Sequence, residues 1–467
     1  MGVDEQRKRA LEVLDNILVR RWLDDKERSA DQVAPSVRYA LSFARLTKVR
    51  NRHHEDIDLT EHLAMHSEWV LDQLTPRIEG SRRVGELASL VPELIRRTIT
   101  ARDEVLRTAD IDRDSLEQEV TQRHLVVVSG GGGGAGYVYP GAYEAFERLG
   151  QIPDLMVGTS IGALLSMFRC RRKRWDMAPM VSASRSLSWS GVFKVLETES
   201  RYGLPATLRM HLRAALGHLF RHPSGRPLWL SDMPIPLLMV TTGIKVGALR
   251  HDLHHYEHLM DGTVRQPAGR WALGGGARLF KTVGEFLSRR DSLVQVVLGQ
   301  DPGTEDFDVL DGAGFSSAIP GLLHYDVLRD DQRMRRMLDR LHDRYGITRL
   351  SEGGLTSNLP ARVAWEAVQA GKIGRRNGLV VALDCFAANP RRPVWYPLQT
   401  LLRLSNTEAD RAFADAVVTF PKTLSPVNLV PTMEEALKAI RWGRAAMDPH
   451  LAFIERSLQT VPVLKEP

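Results

Sequence analysis

The stretch HLVVVSGGGGGAGYVYPGAYEAFERLGQIPDLMVGTSIGALLSMF, residues 124–168, decides the fold. Leu125-Val126-Val127-Val128 is a short apolar, β-branched run that ends in glycines. Such a run is expected to be a strand buried on both faces of a parallel sheet. A helix is expected over about Gly141–Leu149, with Pro140 tolerated in its first turn. Asp154–Val157 reads as a second strand and Ile161–Phe168 as a second helix. Strand, helix, strand, helix implies a three-layer α/β/α domain.

Working outward, further strands are expected at Leu237–Thr242, Leu293–Leu298, Leu379–Leu383 and Ala416–Phe420. Residues of about 185–230 and 250–290 break the alternation. They are rich in Arg, His, Leu and Trp, and read as helical cap insertions over the strand ends. Upstream, Leu11, Leu14, Leu18 and Trp22 recur at helical spacing, as do Leu63, Val70, Leu71 and Leu74. No strand signal interrupts them, so residues 1–120 are expected to form an all-helical module. A closing helix is expected over Met433–Leu458. The expected division is 1–120, then an α/β domain over 121–440, then a C-terminal helix and tail over 441–467.

Composition narrows the class. The chain has 467 residues, 43% hydrophobic and 26% charged, which suits a soluble globular protein with a sizeable core. Two cysteines, Cys170 and Cys385, give no disulfide framework, so a reducing compartment such as the cytoplasm is expected. The charged N-terminus lacks the apolar core of a secretory signal. No uncharged apolar stretch of about 18 residues occurs, so no transmembrane helix is expected. The net charge of +6 suits anionic surfaces such as lipid headgroups, though a solvated basic surface explains it as simply. No stacking aromatics or nucleic-acid module accompany it, so nucleic acid is not an expected partner.

Gly158-Thr159-Ser160-Ile161-Gly162 matches GxSxG between a strand and a helix. In that context the serine sits on a sharp turn, with its hydroxyl at the helix N-terminus, where negative charge is favoured. The glycine run Gly130–Gly134 follows the first strand. Acyl transfer needs backbone amides aimed at a tetrahedral oxyanion, and successive glycines present them without Cβ obstruction. Gly131, Gly132 and Gly133 are the expected donors. The same run satisfies GxGxxG, but a dinucleotide fold wants an acidic residue at the end of the next strand. Asp154 stands at its start instead.

A serine nucleophile needs a base, either a histidine or a carboxylate. Glu352-Gly353-Gly354, with Asn358 and Pro360 close behind, offers a carboxylate on a glycine-rich loop. Asp311, in Asp311-Gly312-Ala313, is the rival.

Taken in order, these pieces resemble patatin-like phospholipases: Gly131-Gly132-Gly133 with Gly136, Ser160, Ser317-Ala318-Ile319-Pro320, and Glu352-Gly353-Gly354 with Asn358 and Pro360. The likeness spans about residues 124–440. It implies a Ser–carboxylate dyad without histidine, Ser160 with Glu352, flanked by Gly158 and Gly162. It also implies hydrolysis of acyl esters of phospholipids or neutral lipids, contact with a membrane or lipid surface, and no cofactor. In the family, the acid precedes two glycines after the AIPG segment, which favours Glu352 over Asp311. Two positions depart from the pattern. The family's dyad aspartate is a glutamate here, and the arginine before the last glycine of its loop is Ala135. A helical insert, Asp330–Leu350, lies before Glu352.

Other readings stay beside this one. A patatin fold that had lost catalysis would be a lipid-binding or scaffold protein, with Glu352 as the mark of decay. His251, His254, His255 and His258 make helical i,i+4 pairs, as a metal pair would, but a solvated polar helix explains them and no metal is expected. The run Arg169–Trp175 suits either anionic headgroups or a solvated helix end.

Overall fold

The computed structural model describes residues 2–25, 27–81, 83–186, 188–195, 200–247, 290–327, 329–387 and 407–465. The chain forms two compact units. The first comprises Met1–Val126, Trp365–Val380 and Pro449–Pro467, the second Val127–Ala364 and Val381–Asp448.

In the first unit, helices span Val3–Asp24, Arg28–Ala44, Thr60–Gly80, Val91–Thr108 and Arg113–Thr121. The apolar positions read from the sequence face inward. Leu11, Leu14 and Leu18 pack with Val33, Val37, Leu74 and Leu94 in one cluster. Beside it Asp15 is buried and held by Arg38 at 3.0 Å and Arg123 at 3.3 Å. Burial alone would raise its carboxyl, but the arginines outweigh burial and hold it below the usual range.

One feature corrects the all-helical expectation. Strands β1 (Lys48–Arg50) and β2 (Asp56–Asp58) form an antiparallel hairpin. Three residues each are too few to show alternation in a sequence. The hairpin turn is closed by the Asn51 side chain, whose oxygen accepts the N–H groups of His53 at 2.9 Å and Glu55 at 3.0 Å.

The remaining strands are β3 (His124–Ser129), β4 (Leu155–Thr159), β5 (Phe193–Val195), β6 (Ala206–Met210), β7 (Leu237–Lys245), β8 (Leu293–Leu298), β9 (Gly321–His324), β10 (Ile347–Glu352), β11 (Gly378–Asp384) and β12 (Ala416–Thr419). Seven of them make the central sheet: β10, β8 and β4 all pair with β7, and from β4 the sheet runs on through β3 and β11 to β12. β4 is parallel to β7, and β11 to β12. Helices Tyr139–Arg148, Ile161–Cys170, Val309–Ser316, Ala361–Gln369 and Met433–Leu458 complete the three-layer α/β/α fold expected from the sequence.

Two segments differ from their reading. The stretch 185–230 is not purely helical, because β5 and β6 join β9 in a separate three-stranded sheet. The expected helical insert Asp330–Leu350 is helical only over Gln332–Tyr345. Gly346 ends that helix in the left-handed conformation, φ 60°, and the chain continues as β10. The expected insertion at 250–290, with its four histidines, lies almost entirely outside the described residues.

Candidate active site

Strand pairing brings two distant residues together. β7 pairs with β8 over Met239–Ile244, so β4 and β10 must share its other edge. β4 runs parallel to β7 and ends with Thr159 opposite Val240. β10 runs antiparallel and ends with Glu352 opposite Thr241. The two strands therefore approach each other along one edge and stop at adjacent positions. Ser160 follows immediately from β4, and Glu352 is the last residue of β10.

Ser160 adopts φ 55° and ψ −127°, one of two non-glycine residues with positive φ among those described. Such strain costs on the order of 1–3 kcal/mol and persists only where the surroundings enforce it. Here the enforcement is visible. The Ser160 N–H donates to Ser316 Oγ at 2.9 Å, and the Ser316 hydroxyl donates to the Val240 carbonyl at 2.6 Å. Close packing of the turn accounts for its glycines. A Cβ on Gly162 would stand 2.0 Å from the Ser129 carbonyl oxygen, and one on Gly158 would stand 2.6 Å from Ala163 Cα. Ser160 also caps helix Ile161–Cys170, whose unpaired amides favour developing negative charge.

The Glu352 backbone is pinned on both sides. Its N–H donates to the Ala318 carbonyl at 3.0 Å, and its carbonyl accepts from Thr242 Oγ1 at 2.7 Å. Its carboxyl lies near enough to Ser160 for the serine hydroxyl to favour its charged form. Burial pushes the carboxyl up to about 7, while the serine hydroxyl draws it back toward the charged form. A carboxyl near neutrality suits proton exchange at physiological pH.

Asp311 lies elsewhere. It is wholly buried and takes Tyr325 Oη at 2.7 Å, Arg329 Nη2 at 2.7 Å and Arg213 Nη2 at 3.2 Å. Its oxygens are committed to that network, and Glu352 is the carboxylate brought to Ser160.

The glycine loop lies beside this pair. A Cβ on Gly131 would fall 3.3 Å from Ser160 Cβ. Of the three expected donors, Gly131 already gives its N–H to the Asn358 carbonyl at 2.9 Å. Gly132 (φ 155°) and Gly133 (φ 55°) take backbone forms that side chains resist, and no hydrogen-bond partner for their amides is present among the described residues. Segment 425–429 packs against the loop. Gly134 N–H donates to the Pro426 carbonyl at 2.8 Å, and Tyr137 Oη donates to the Leu429 carbonyl at 3.0 Å. A Cβ on Gly133 would meet the Pro426 oxygen at 2.3 Å. The loop is thus filled by the chain itself, where a dinucleotide fold would leave room for a pyrophosphate.

The four motifs also lock to one another. Gly131 meets Asn358, Ser160 meets Ser316, and Glu352 meets Ala318. Thr159 Oγ1 donates to the Ser357 carbonyl at 3.0 Å. The sequence reading did not assign Ser316. A serine where a helix ends beside the AIPG segment was the available signal.

A cavity of about 840 Å³, its open mouth included, begins at Ser160 and Gly133. Its walls are mainly apolar, with Leu164, Phe168, Leu212, Leu216 and Leu323 among them. A mainly apolar lining of this kind suits an acyl chain.

The weaker signals resolve differently. Arg169 is buried and donates to the carbonyls of Arg172 and Lys173, both at 3.0 Å, so it closes its own helix end. No metal-ligating group of three occurs among the described residues. No described helix is long and apolar enough to cross a membrane.

No curated protein matches the chain. The family model described as patatin-like phospholipase matches residues 126–365, from β3 to the start of helix Ala361–Gln369. That span holds the glycine loop, Ser160, the AIPG segment and Glu352. Since it covers more than half of the sequence, the chain belongs to the patatin-like phospholipase family, whose members are lipid acyl hydrolases as a class.

Proposed function

We propose that the protein hydrolyses acyl esters of phospholipids or neutral lipids through a Ser160–Glu352 dyad and an acyl-enzyme. One observation carries this reading: β4 and β10 end at adjacent positions on β7, which sets the strained Ser160 beside Glu352 at the head of an apolar cavity.

Ser160 Oγ attacks the ester carbonyl carbon, and its proton passes to Glu352. The amides of Gly132 and Gly133, with the N-terminus of helix Ile161–Cys170, stabilise the tetrahedral oxyanion. The intermediate collapses, the C–O bond to the alcohol breaks, and Glu352 returns the proton to the departing oxygen. Water then attacks the acyl-enzyme with Glu352 as base. Fatty acid leaves and the Ser160 hydroxyl is restored. The reading requires no cofactor. We further propose that the protein acts from the cytoplasm at the surface of a membrane or lipid aggregate, with the acyl chain drawn into the cavity.

The test is labelling by a fluorophosphonate, with hydrolysis of short- and long-chain esters, beside Ser160→Ala and Glu352→Gln. Wild type is expected to be labelled at Ser160 alone, and both variants to lose nearly all turnover. An unlabelled, inactive wild type would instead support a lipid-binding scaffold.

A further inference from the structure

Among the described residues, four polar side chains line the acyl cavity: Tyr137, Ser160, Ser184 and Ser317. Tyr137 donates to the Leu429 carbonyl at 3.0 Å and Ser184 to the Met180 carbonyl at 3.0 Å, while Ser160 stands beside Glu352 as the proposed nucleophile. Ser317 has a buried hydroxyl with no partner among the described residues, and the residue is only 4% exposed. Leaving a buried hydroxyl unpaired is costly, and such a group in a native structure calls for a reason. The usual local remedy is absent. A buried serine can bond back to the carbonyl four residues earlier. Here the Ala313 and Gly314 carbonyls take the Ser317 backbone N–H instead, at 3.1 and 3.2 Å.

Place supplies the reason. Ser317 directly follows Ser316, whose Oγ holds the Ser160 amide. It lines the same cavity as Ser160, next in the chain to the residue that holds the Ser160 amide, so the ester of a substrate attacked by Ser160 comes near it. The hydrocarbon of the acyl chain offers no hydrogen bond, so the complement must come from the ester itself.

We infer that the Ser317 hydroxyl is a substrate-binding group, donating a hydrogen bond to an oxygen of the ester at Ser160. The inference rests on the acyl-hydrolase reading and adds a side-chain donor to the backbone donors of the glycine loop. Ser317 takes no proton and forms no bond to carbon. It orients the ester and carries part of the charge that develops on oxygen.

The test uses the full chain with Ser317→Ala and Ser317→Thr. Initial rates are measured on p-nitrophenyl octanoate and on a monoacylglycerol of the same chain, together with the fluorophosphonate labelling rate and the thermal midpoint. For Ser317→Ala, kcat/KM is expected to fall roughly ten- to hundred-fold on both esters. The labelling rate should fall with it, because the phosphonyl oxygen takes the place of the ester oxygen. The thermal midpoint should stay level or rise, since an unpaired buried hydroxyl has been removed. Ser317→Thr keeps the hydroxyl and should recover at least part of the rate.

A structural serine would behave in the opposite way, losing stability with little change in the rate of the folded protein. Either that pattern, or rates within two-fold of wild type in Ser317→Ala, overturns the inference while a labelled, active wild type leaves the hydrolase reading standing. An unlabelled, inactive wild type overturns both.

Discussion

Replacing Glu352 by glutamine should abolish turnover and, above neutral pH, make the protein harder to unfold. Both effects have one cause. Burial pushes the Glu352 carboxyl up to about 7, from 4.5 for the free side chain. Between those values the folded chain keeps a proton that the unfolded chain has released. Stability therefore falls as pH rises from about 4.5 to about 7, then levels off. Each pH unit between the two values is worth ~1.4 kcal/mol, which makes about 3 kcal/mol in full. Because the side chain retains some exposure, solvent screening brings this to on the order of 1–3 kcal/mol. Glutamine has a similar shape and stays neutral, so it removes the penalty. Urea unfolding at pH 8 should show Glu352→Gln more stable by that amount, and at pH 4 the two curves should converge. Turnover should drop by about a hundred-fold to ten-thousand-fold, the usual range for a lost general base. For wild type, kcat/KM should climb with pH and flatten above about 7, where the base is ionised. Identical unfolding curves at pH 8, or a rate profile already flat by pH 5, would refute the argument.

Ser316→Ala would leave the Ser160 N–H and the Val240 carbonyl without the hydroxyl that joins them. Chemical denaturation should show a loss of about 1–3 kcal/mol, and steady-state kinetics should show kcat falling more than KM changes. Ala215→Trp, on the cavity wall, should shorten the usable chain. In an ester series, long acyl groups should lose kcat/KM relative to short ones by roughly four-fold per excluded methylene.

What the sequence discloses depends on where the determining contacts lie. Leu125–Val128 and Leu379–Leu383 are legible as strands because they are wholly buried, so their apolar character is unbroken. β10 is not. Its burial is irregular, it carries Arg349, and it follows a helix whose end is marked only by Gly346. Its strand character comes from pairing with β7, about 100 residues earlier. At the site, Ser160 and Glu352 are legible because each stands within a glycine pattern with a mechanical meaning. The role of Gly131 is not, since its amide is claimed by the Asn358 carbonyl far along the chain. Nor is that of Ser316, whose hydroxyl acts through two backbone groups on other elements.

The same geometry bears on the glutamate that stands where the family has aspartate. Were Glu352 a sign of decay, shortening it to aspartate should improve the site. The structure argues the reverse. The backbone at 352 is fixed by the Ala318 carbonyl, by Thr242 Oγ1 and by its register with β7, so it has little freedom to advance toward Ser160. The longer side chain is accommodated at Gly354, where an added Cβ would already lie 3.5 Å from Glu352 Oε1. From this pinned position the glutamate comes near enough for the Ser160 hydroxyl to favour its charged form. Removing one methylene withdraws the carboxylate by roughly 1.5 Å, about one carbon–carbon bond. A displacement near 1 Å can cost on the order of a hundred-fold in rate. Glu352→Asp is therefore expected to lose about a hundred-fold in kcat while labelling of Ser160 persists at a reduced rate. A gain in kcat would mean that the backbone yields, and that the longer carboxylate is a compromise and not the fitted base.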